Sequence, residues 1–358
     1  MEALKGGRIV KNVRYYVYTY ERWESKSMNE VVLQTEDLRG YYRGTFGVVY
    51  GVDGITVTVM NGEKLGIAGE SGCGKTTFAE LLTGTPVPLL YYEGGLVEVE
   101  GYDVWHIPPE TLRKEVKCKL MSYVPQAALN SLNPTLRIGK FITDMLRERT
   151  QQKYSPDQAR EMISDHFNTL NLDEHVLDIY PHELSGGMKQ RVIIAISTYA
   201  KPSLLIVDEP TSSLDVTSQK AMIKMLLDIH RKEMIKSMIV VSHDLGMLRQ
   251  LCNRLGVMYA GRFMEEGKMD DIISDPLHPY TKLLLGSLLP LERWTKDANL
   301  KSIPGRHPDL RNPPPGCRFH PRCPECMDIC KSERPSAVEK NGRYVSCWLY
   351  SNGDSGSE

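Results

Sequence analysis

The apolar positions of this chain follow two rhythms. Val31-Val32-Leu33-Gln34-Thr35 and Ile55-Thr56-Val57-Thr58-Val59 read as strands; the second alternates and closes at Asn61-Gly62, a hairpin-type pair. Strand-like runs recur over residues 64–68, 94–101 and 119–124, the last delivering Pro125 and Gln126. From about 127 to 202 the period lengthens to that of helices, clearest over 138–146 and 159–172. Residues 203–208 and 238–241 are then almost uninterruptedly apolar, as in strands of a parallel sheet covered on both faces. Hairpin-like strands follow over 254–259 and 262–266. The pattern predicts an α/β fold in which a helical subdomain, about 127–202, interrupts a domain spanning 30–275. After Asp275-Pro276 the chain turns rich in Pro, Cys and Arg, and 276–358 reads as a separate Cys-rich C-terminal domain. Residues 1–29 read as an N-terminal extension.

Composition narrows this little. At 358 residues, a guide of about 150 per domain gives two or three domains. A net charge of −1 carries no sign of a nucleic-acid binder. No apolar run reaches the ~18–20 residues of a bilayer span, and the first 29 residues lack the apolar core of a secretory signal, so a cytosolic location is expected. Of eight cysteines, Cys73, Cys118 and Cys252 are scattered, while Cys317, Cys323, Cys326, Cys330 and Cys347 crowd the end. In a reducing compartment such a cluster favours metal over disulfides.

The chemistry begins at Gly69-Glu70-Ser71-Gly72-Cys73-Gly74-Lys75-Thr76, which meets every fixed position of the phosphate loop G-x-x-x-x-G-K-[ST] between a strand and a helix. Glycines allow the tight turn that faces successive N–H groups and a helix N-terminus toward phosphates. The pattern assigns Lys75 to the β- and γ-phosphates and the Thr76 hydroxyl to Mg²⁺, with Thr77 next in the helix, so a nucleoside triphosphate is the expected ligand. Downstream, an apolar strand ends in Asp208 and Glu209, placed to hold Mg²⁺ and to act as general base toward water.

Between these stands Leu184-Ser185-Gly186-Gly187-Met188-Lys189-Gln190, a second Gly-rich turn that is either an anion-binding helix start or a plain serine cap. The string resembles the signature of ATP-binding-cassette (ABC) ATPases, and the remaining markers of that family follow in order. Gln126 matches the Q-loop, Ser212-Ser213-Leu214-Asp215 the D-loop, and His243 the switch histidine. The resemblance implies a RecA-like core with an antiparallel β subdomain and head-to-tail pairing of two cassettes. In that pairing Ser185, Gly186, Gly187 and Gln190 serve the partner's nucleotide. It implies that Gln126 senses Mg²⁺ and the attacking water, that Asp215 links the two sites, and that an aromatic ring upstream stacks on adenine. Tyr42 is the choice for that ring, with Tyr41 and Tyr50 as rivals.

Asn130-Ser131-Leu132-Asn133-Pro134 and Asp275-Pro276-Leu277-His278-Pro279-Tyr280-Thr281 narrow the resemblance to the oligopeptide/dipeptide importer ATPases. His278 could ligate a metal but reads better as a turn residue held by its prolines. The final cysteines, spaced C-x5-C-x6-C-x16-C through Cys317, Cys323, Cys330 and Cys347, suit a [4Fe–4S] cluster or zinc. The resemblance favours the cluster, with Cys326 as a possible substitute ligand and Arg318, Arg322 and Lys331 offsetting thiolate charge or simply solvated. It further implies a second cassette in a heterodimer, two transmembrane permease subunits, an extracellular substrate-binding protein and a place at the cytoplasmic face of the membrane. Oligosaccharide or nickel import, and a soluble non-transport cassette, are the alternatives.

Overall fold

The computed structural model describes residues 31–287 and 303–351, apart from 86, 118, 127, 129, 130, 151–153 and 213. The expected extension 1–29, Cys118, Asn130 of the importer motif and Ser213 of the D-loop lie outside the described residues.

Four strands form an antiparallel layer in the order β2-β1-β4-β5: β1 (Val31–Gly44), β2 (Gly47–Met60), β4 (Leu90–Val99) and β5 (Tyr102–Asp103). The first two are far longer than the apolar runs predict. Bulges such as the one between Thr35 and Leu38, where Asp37 takes φ 46°, let pairing continue across the break in alternation.

The second sheet has the order β11-β12-β10-β9-β3-β8-β7-β6. Its strands are β3 (Lys64–Ala68), β6 (Met121–Val124), β7 (Leu204–Asp208), β8 (Ser237–Val241), β9 (Arg254–Tyr259), β10 (Arg262–Lys268), β11 (Val338–Lys340) and β12 (Arg343–Val345). The run β9-β3-β8-β7-β6 is parallel. β7 and β8 are wholly buried because each face meets a different apolar cluster. Leu204, Ile206, Ile239 and Val241 join the first sheet and helix α1 (Lys75–Leu82). Leu205, Val207, Met238 and Val240 join the helical side. Period-two alternation is thus hidden inside a continuous apolar run.

After a short turn, α2 (Pro109–Thr111), the expected helical region contains α3 (Ile138–Thr150), α4 (Pro156–Thr169) and α5 (Gly186–Thr198). Ile138, Ile142 and Leu146 pack with Ala159, Ile163 and Phe167 of α4. α4 opens with a capping box, Ser155 Oγ accepting from Gln158 N–H and the Gln158 side chain accepting from Ser155 N–H. Further helices are α6 (Val216–Arg231), α7 (Leu245–Leu251), α8 (Met269–Ser274), α9 (Pro279–Ser287), α10 (Ile329–Ser332) and α11 (Trp348–Ser351).

The separate Cys-rich domain expected after 275 is not supported. β12 pairs with β10 through Glu265↔Val345 and Glu266↔Tyr344, so the tail extends the main sheet. Phe319 is fully buried against Tyr259 and Tyr280, ring centroids 5.2 Å from each, inside the main core cluster. The shift in composition marks a change of surface chemistry, while the apolar core runs through it.

Candidate nucleotide-binding site

The phosphate loop leaves the carboxyl end of β3 and feeds α1. Gly74 caps the helix at φ 104°, and a Cβ there would lie 2.0 Å from the Gly51 carbonyl oxygen. At Gly69 it would lie 2.2 Å from that of Met258. Both positions therefore admit glycine alone. Ser71 and Gly72 are exposed at the crest, and Cys73 and Thr77 are buried beneath it. Burial pushes the Cys73 thiol above its ordinary pKa, against the pull of Lys75. Lys75 is itself buried, its Nζ donating to the carbonyls of Gly69 (2.8 Å) and Glu70 (3.1 Å).

β7 and β8 bring their own ends to the same edge, the place where open α/β sheets hold ligands. Asp208 closes β7 with no exposed surface, and neither of its carboxylate oxygens has a protein hydrogen-bond partner. Burial raises its pKa to about 6, opposed by the nearby Thr76 hydroxyl. Glu209 follows at φ 49°, a left-handed conformation that costs a non-glycine residue about 1 kcal/mol or more. Surrounding bonds hold it there. Its N–H donates to Val241 O (2.8 Å), and its carboxylate accepts from Ser242 Oγ (3.2 Å) and His243 N–H (3.1 Å) and meets His243 Nδ1 (2.8 Å). Glu209 is buried while the His243 ring is 65% exposed. Gln126 is exposed just beyond β6.

The signature occupies different ground. Ser185 caps α5, its Oγ accepting from Met188 N–H at 3.3 Å, and Gly187 packs so close to α6 that a Cβ would lie 3.0 Å from Ser218 Oγ. Gln190 is buried with Oε1 unpaired. Among the described residues no hydrogen bond joins Ser185, Gly186 or Gly187 to the phosphate loop. Asp215 caps α6, taking the N–H groups of Thr217 and Ser218 and the Ser218 hydroxyl.

Two placements add to the sequence reading. The Glu70 carboxylate turns away from the loop mouth onto Arg322, whose two Nη atoms lie 2.6 and 3.0 Å from its oxygens. Arg322 and Arg318 therefore serve carboxylates of the cassette, Glu70 and Asp53, instead of offsetting thiolates; Lys331 stays exposed beside Asp328. Tyr42 is half-buried, its hydroxyl 3.2 Å from Thr77 Oγ1 and donating to Glu80 Oε2 at 3.2 Å, which ties the ring to α1. Tyr41 bonds Asp53 and stacks edge-on against Tyr50. Phe46, at the turn between β1 and β2, is 47% exposed and has no hydroxyl to tie it down; sequence reasoning passed it over because it belongs to no apolar run.

The terminal cysteines lie near one another. Cys317 N–H donates to Cys330 O at 2.9 Å, and Cys317, Cys323 and Cys347 each feel the charge of neighbouring cysteines. Burial pushes Cys323 up to about 11 and Cys347 to about 12. Cys326 is exposed. Among the described residues no group of three or more His, Cys, Asp or Glu side chains is disposed to hold a metal ion, so neither the cluster nor zinc is supported. His278 is fully buried and takes no part in a metal group.

Comparison with known proteins agrees with the motif order. Residues 52–212 match the ABC transporter family, and 264–330 match the oligopeptide/dipeptide transporter C-terminal region. The chain is 38% identical over 326 residues to the dipeptide transport ATP-binding protein DppD of Caldanaerobacter subterraneus, covering 90% of this chain and 98% of that protein. It is 37% identical over 323 residues to the oligopeptide transport ATP-binding protein OppD of Salmonella typhimurium, covering 89% and 93%. Among solved structures it is similar to the dimeric ATP-binding cassette MJ0796 bound to ADP and Pi, with TM-score 0.58, 23% identity, and coverage of 66% of this chain and 98% of that one. The last likeness concerns the fold.

Proposed function

Because this chain belongs to the ATP-binding subunits of oligopeptide/dipeptide ABC importers, we propose that Gly69–Thr77 grip the phosphates of ATP and that Glu209 is the general base. The chain is an ATPase that powers peptide uptake through permease subunits in the membrane. No helix among the described residues is long and apolar enough to cross a membrane, consistent with peripheral attachment.

The observation that carries the assignment is the Glu209 carboxylate, held at the edge of the phosphate site by Ser242 and His243. A carboxylate fixed by donors on one side can accept a proton from water on the other, and His243 keeps it oriented. Mg²⁺ fits Asp208 and Thr76, because Asp208 is buried, its oxygens make no close protein hydrogen bond, and the Thr76 hydroxyl lies beside it. When bound, the ion supplies charge neutralisation at the β- and γ-phosphates. Lys75 gives up the carbonyls of Gly69 and Glu70 to reach the phosphates, and Gln126 follows occupancy from the end of β6. Ser185, Gly186, Gly187 and Gln190 serve the nucleotide of a second cassette, and Asp215 faces the same junction. Adenine stacks on the β1–β2 hairpin, and the exposed Phe46 suits the task better than Tyr42, whose hydroxyl is engaged.

A heterodimeric partner cassette, an external substrate-binding protein and a place at the cytoplasmic face complete the reading. Oligosaccharide and nickel import, and a soluble non-transport role, are not favoured beside relatives named for dipeptides and oligopeptides. A [4Fe–4S] cluster on Cys317, Cys323, Cys330 and Cys347 finds no support in the thiol arrangement among the described residues. Iron and acid-labile sulfide in anaerobically purified protein decide that point.

The test is Glu209→Gln. Nucleotide binding should persist while hydrolysis falls by about 10²-fold or more, measured as phosphate release at saturating ATP. Wild-type turnover would remove Glu209 as the base.

A further inference from the structure

The phosphate loop has a support that lies outside the cassette motifs. Arg322 is buried and makes a two-pronged ion pair with Glu70, the second residue of the loop. Its guanidinium is fixed in turn. Nε donates to Pro304 O (2.7 Å), Nη1 to the Tyr259 hydroxyl (3.3 Å), and the group lies 5.8 Å from the Tyr259 ring centre. Glu70 is held at its backbone as well, its N–H donating to the hydroxyl of the wholly buried Tyr280 at 3.0 Å. Arg322 and Tyr280 both come from the chain beyond residue 275, and neither is part of any nucleotide motif.

Glu70 matters because Lys75 rests on its carbonyl and on that of Gly69. The orientation of the Glu70 peptide thus sets both the first turn of the loop and the resting place of the lysine. The carboxylate is also an electrostatic hazard. A partly buried negative charge beside a bound triphosphate opposes binding unless a cation cancels it. Arg322 does so with a planar fork that a lysine cannot reproduce.

We propose that Arg322 is a positioning residue for ATP, acting through Glu70 to hold the phosphate loop ready for phosphates, so that the C-terminal segment sets nucleotide affinity. The proposal rests on the reading that Gly69–Thr76 bind the phosphates. Arg322 sits between Cys317 and Cys323, so the turn that carries it is the one bearing those two thiols.

The experiment is a double-mutant cycle in the full chain, titrating Mg·ATP binding and measuring ATPase KM and kcat, with melting temperature alongside. Arg322→Ala should weaken binding and raise KM about tenfold, as loss of one charge-assisted fork implies, with kcat changed less than about twofold. Arg322→Lys should recover only part. Glu70→Ala removes the carboxylate without touching the C-terminal segment, and should bind ATP more tightly than Arg322→Ala does. In a Glu70→Ala background, Arg322→Ala should cost nothing further. If Arg322→Ala costs the same tenfold in that background, or leaves KM unchanged in folded protein, the proposal is overturned. Should Arg322→Ala fail to fold, Arg322→Lys in the two backgrounds gives the same comparison. Lys75→Ala separates the underlying reading: if it binds ATP normally, the loop assignment fails, whereas lost binding there with unchanged Arg322→Ala affinity condemns only the positioning role.

Discussion

His278 shows how a single side chain can tie pH to stability far from the nucleotide. Its Nδ1 accepts from Tyr280 N–H (2.9 Å) and its own N–H donates to Glu265 (2.9 Å), so the ring proton sits on Nε2, which has no partner. Burial lowers its pKa from 6.5 to about 3, with Lys282 adding to the effect. Between those values the unfolded chain binds a proton that the folded chain refuses. The contribution of the neutral ring is therefore complete above about pH 6.5 and shrinks as pH falls toward 3, by up to ~1.4 kcal/mol per unit. Replacing His278 with glutamine removes the titration. The difference in unfolding free energy between His278→Gln and the parent should change by ~1 kcal/mol or more from pH 7 to pH 5, read by denaturant melts. A pH-independent difference would mean that the ring titrates in the folded chain.

At the scale of elements, Asp215 carries two separable duties. As the cap of α6 it satisfies two backbone N–H groups, and Asp215→Ala should lower the melting temperature, whereas Asp215→Asn keeps the cap and should change it little. If the same residue also links paired cassettes, Asp215→Asn should lower ATPase activity at unchanged melting temperature; loss of both together would leave only the cap. Elements were legible where one local rule dominates. β7 and β8 stood out because strands covered on both faces are apolar between their ends, and the phosphate loop because glycine alone fits at Gly74. Boundaries were less so. The helix expected over 159–172 runs Pro156–Thr169, because the Ser155 capping box starts it early and Asn171, at φ 55°, closes it with Leu172 N–H bonded to Phe167 O. At the site, Asp208, Glu209 and His243 were readable from strand ends. The exposed ring of Phe46, proposed for adenine, was not, since a turn aromatic carries no periodic signal, and neither was the Glu70–Arg322 pair, whose partners lie 252 residues apart.

At the scale of the whole molecule, an aromatic knot helps join the C-terminal chain to the catalytic edge and marks where packing and affinity are coupled. Phe319 is fully buried, with its ring against Tyr259 and Tyr280. Those two tyrosines touch Arg322 and the Glu70 N–H respectively, so the knot stands directly behind the phosphate loop. Phe167 is equally buried but lies in α4, packed with the helical region. Truncating either ring removes comparable apolar surface and should cost about 3–5 kcal/mol, with a lower melting temperature in both variants. Their effects on nucleotide should differ. Phe319→Ala loosens the tyrosines that hold Glu70, and should raise the KM for ATP several-fold below its melting transition. Phe167→Ala should leave that KM within about twofold, because the loop is held through Tyr259, Tyr280 and Arg322 and not through α4. Equal rises in KM would show that general softening of the core lowers affinity. A rise confined to Phe319→Ala would mean that the C-terminal segment belongs to the nucleotide site as a mechanical part.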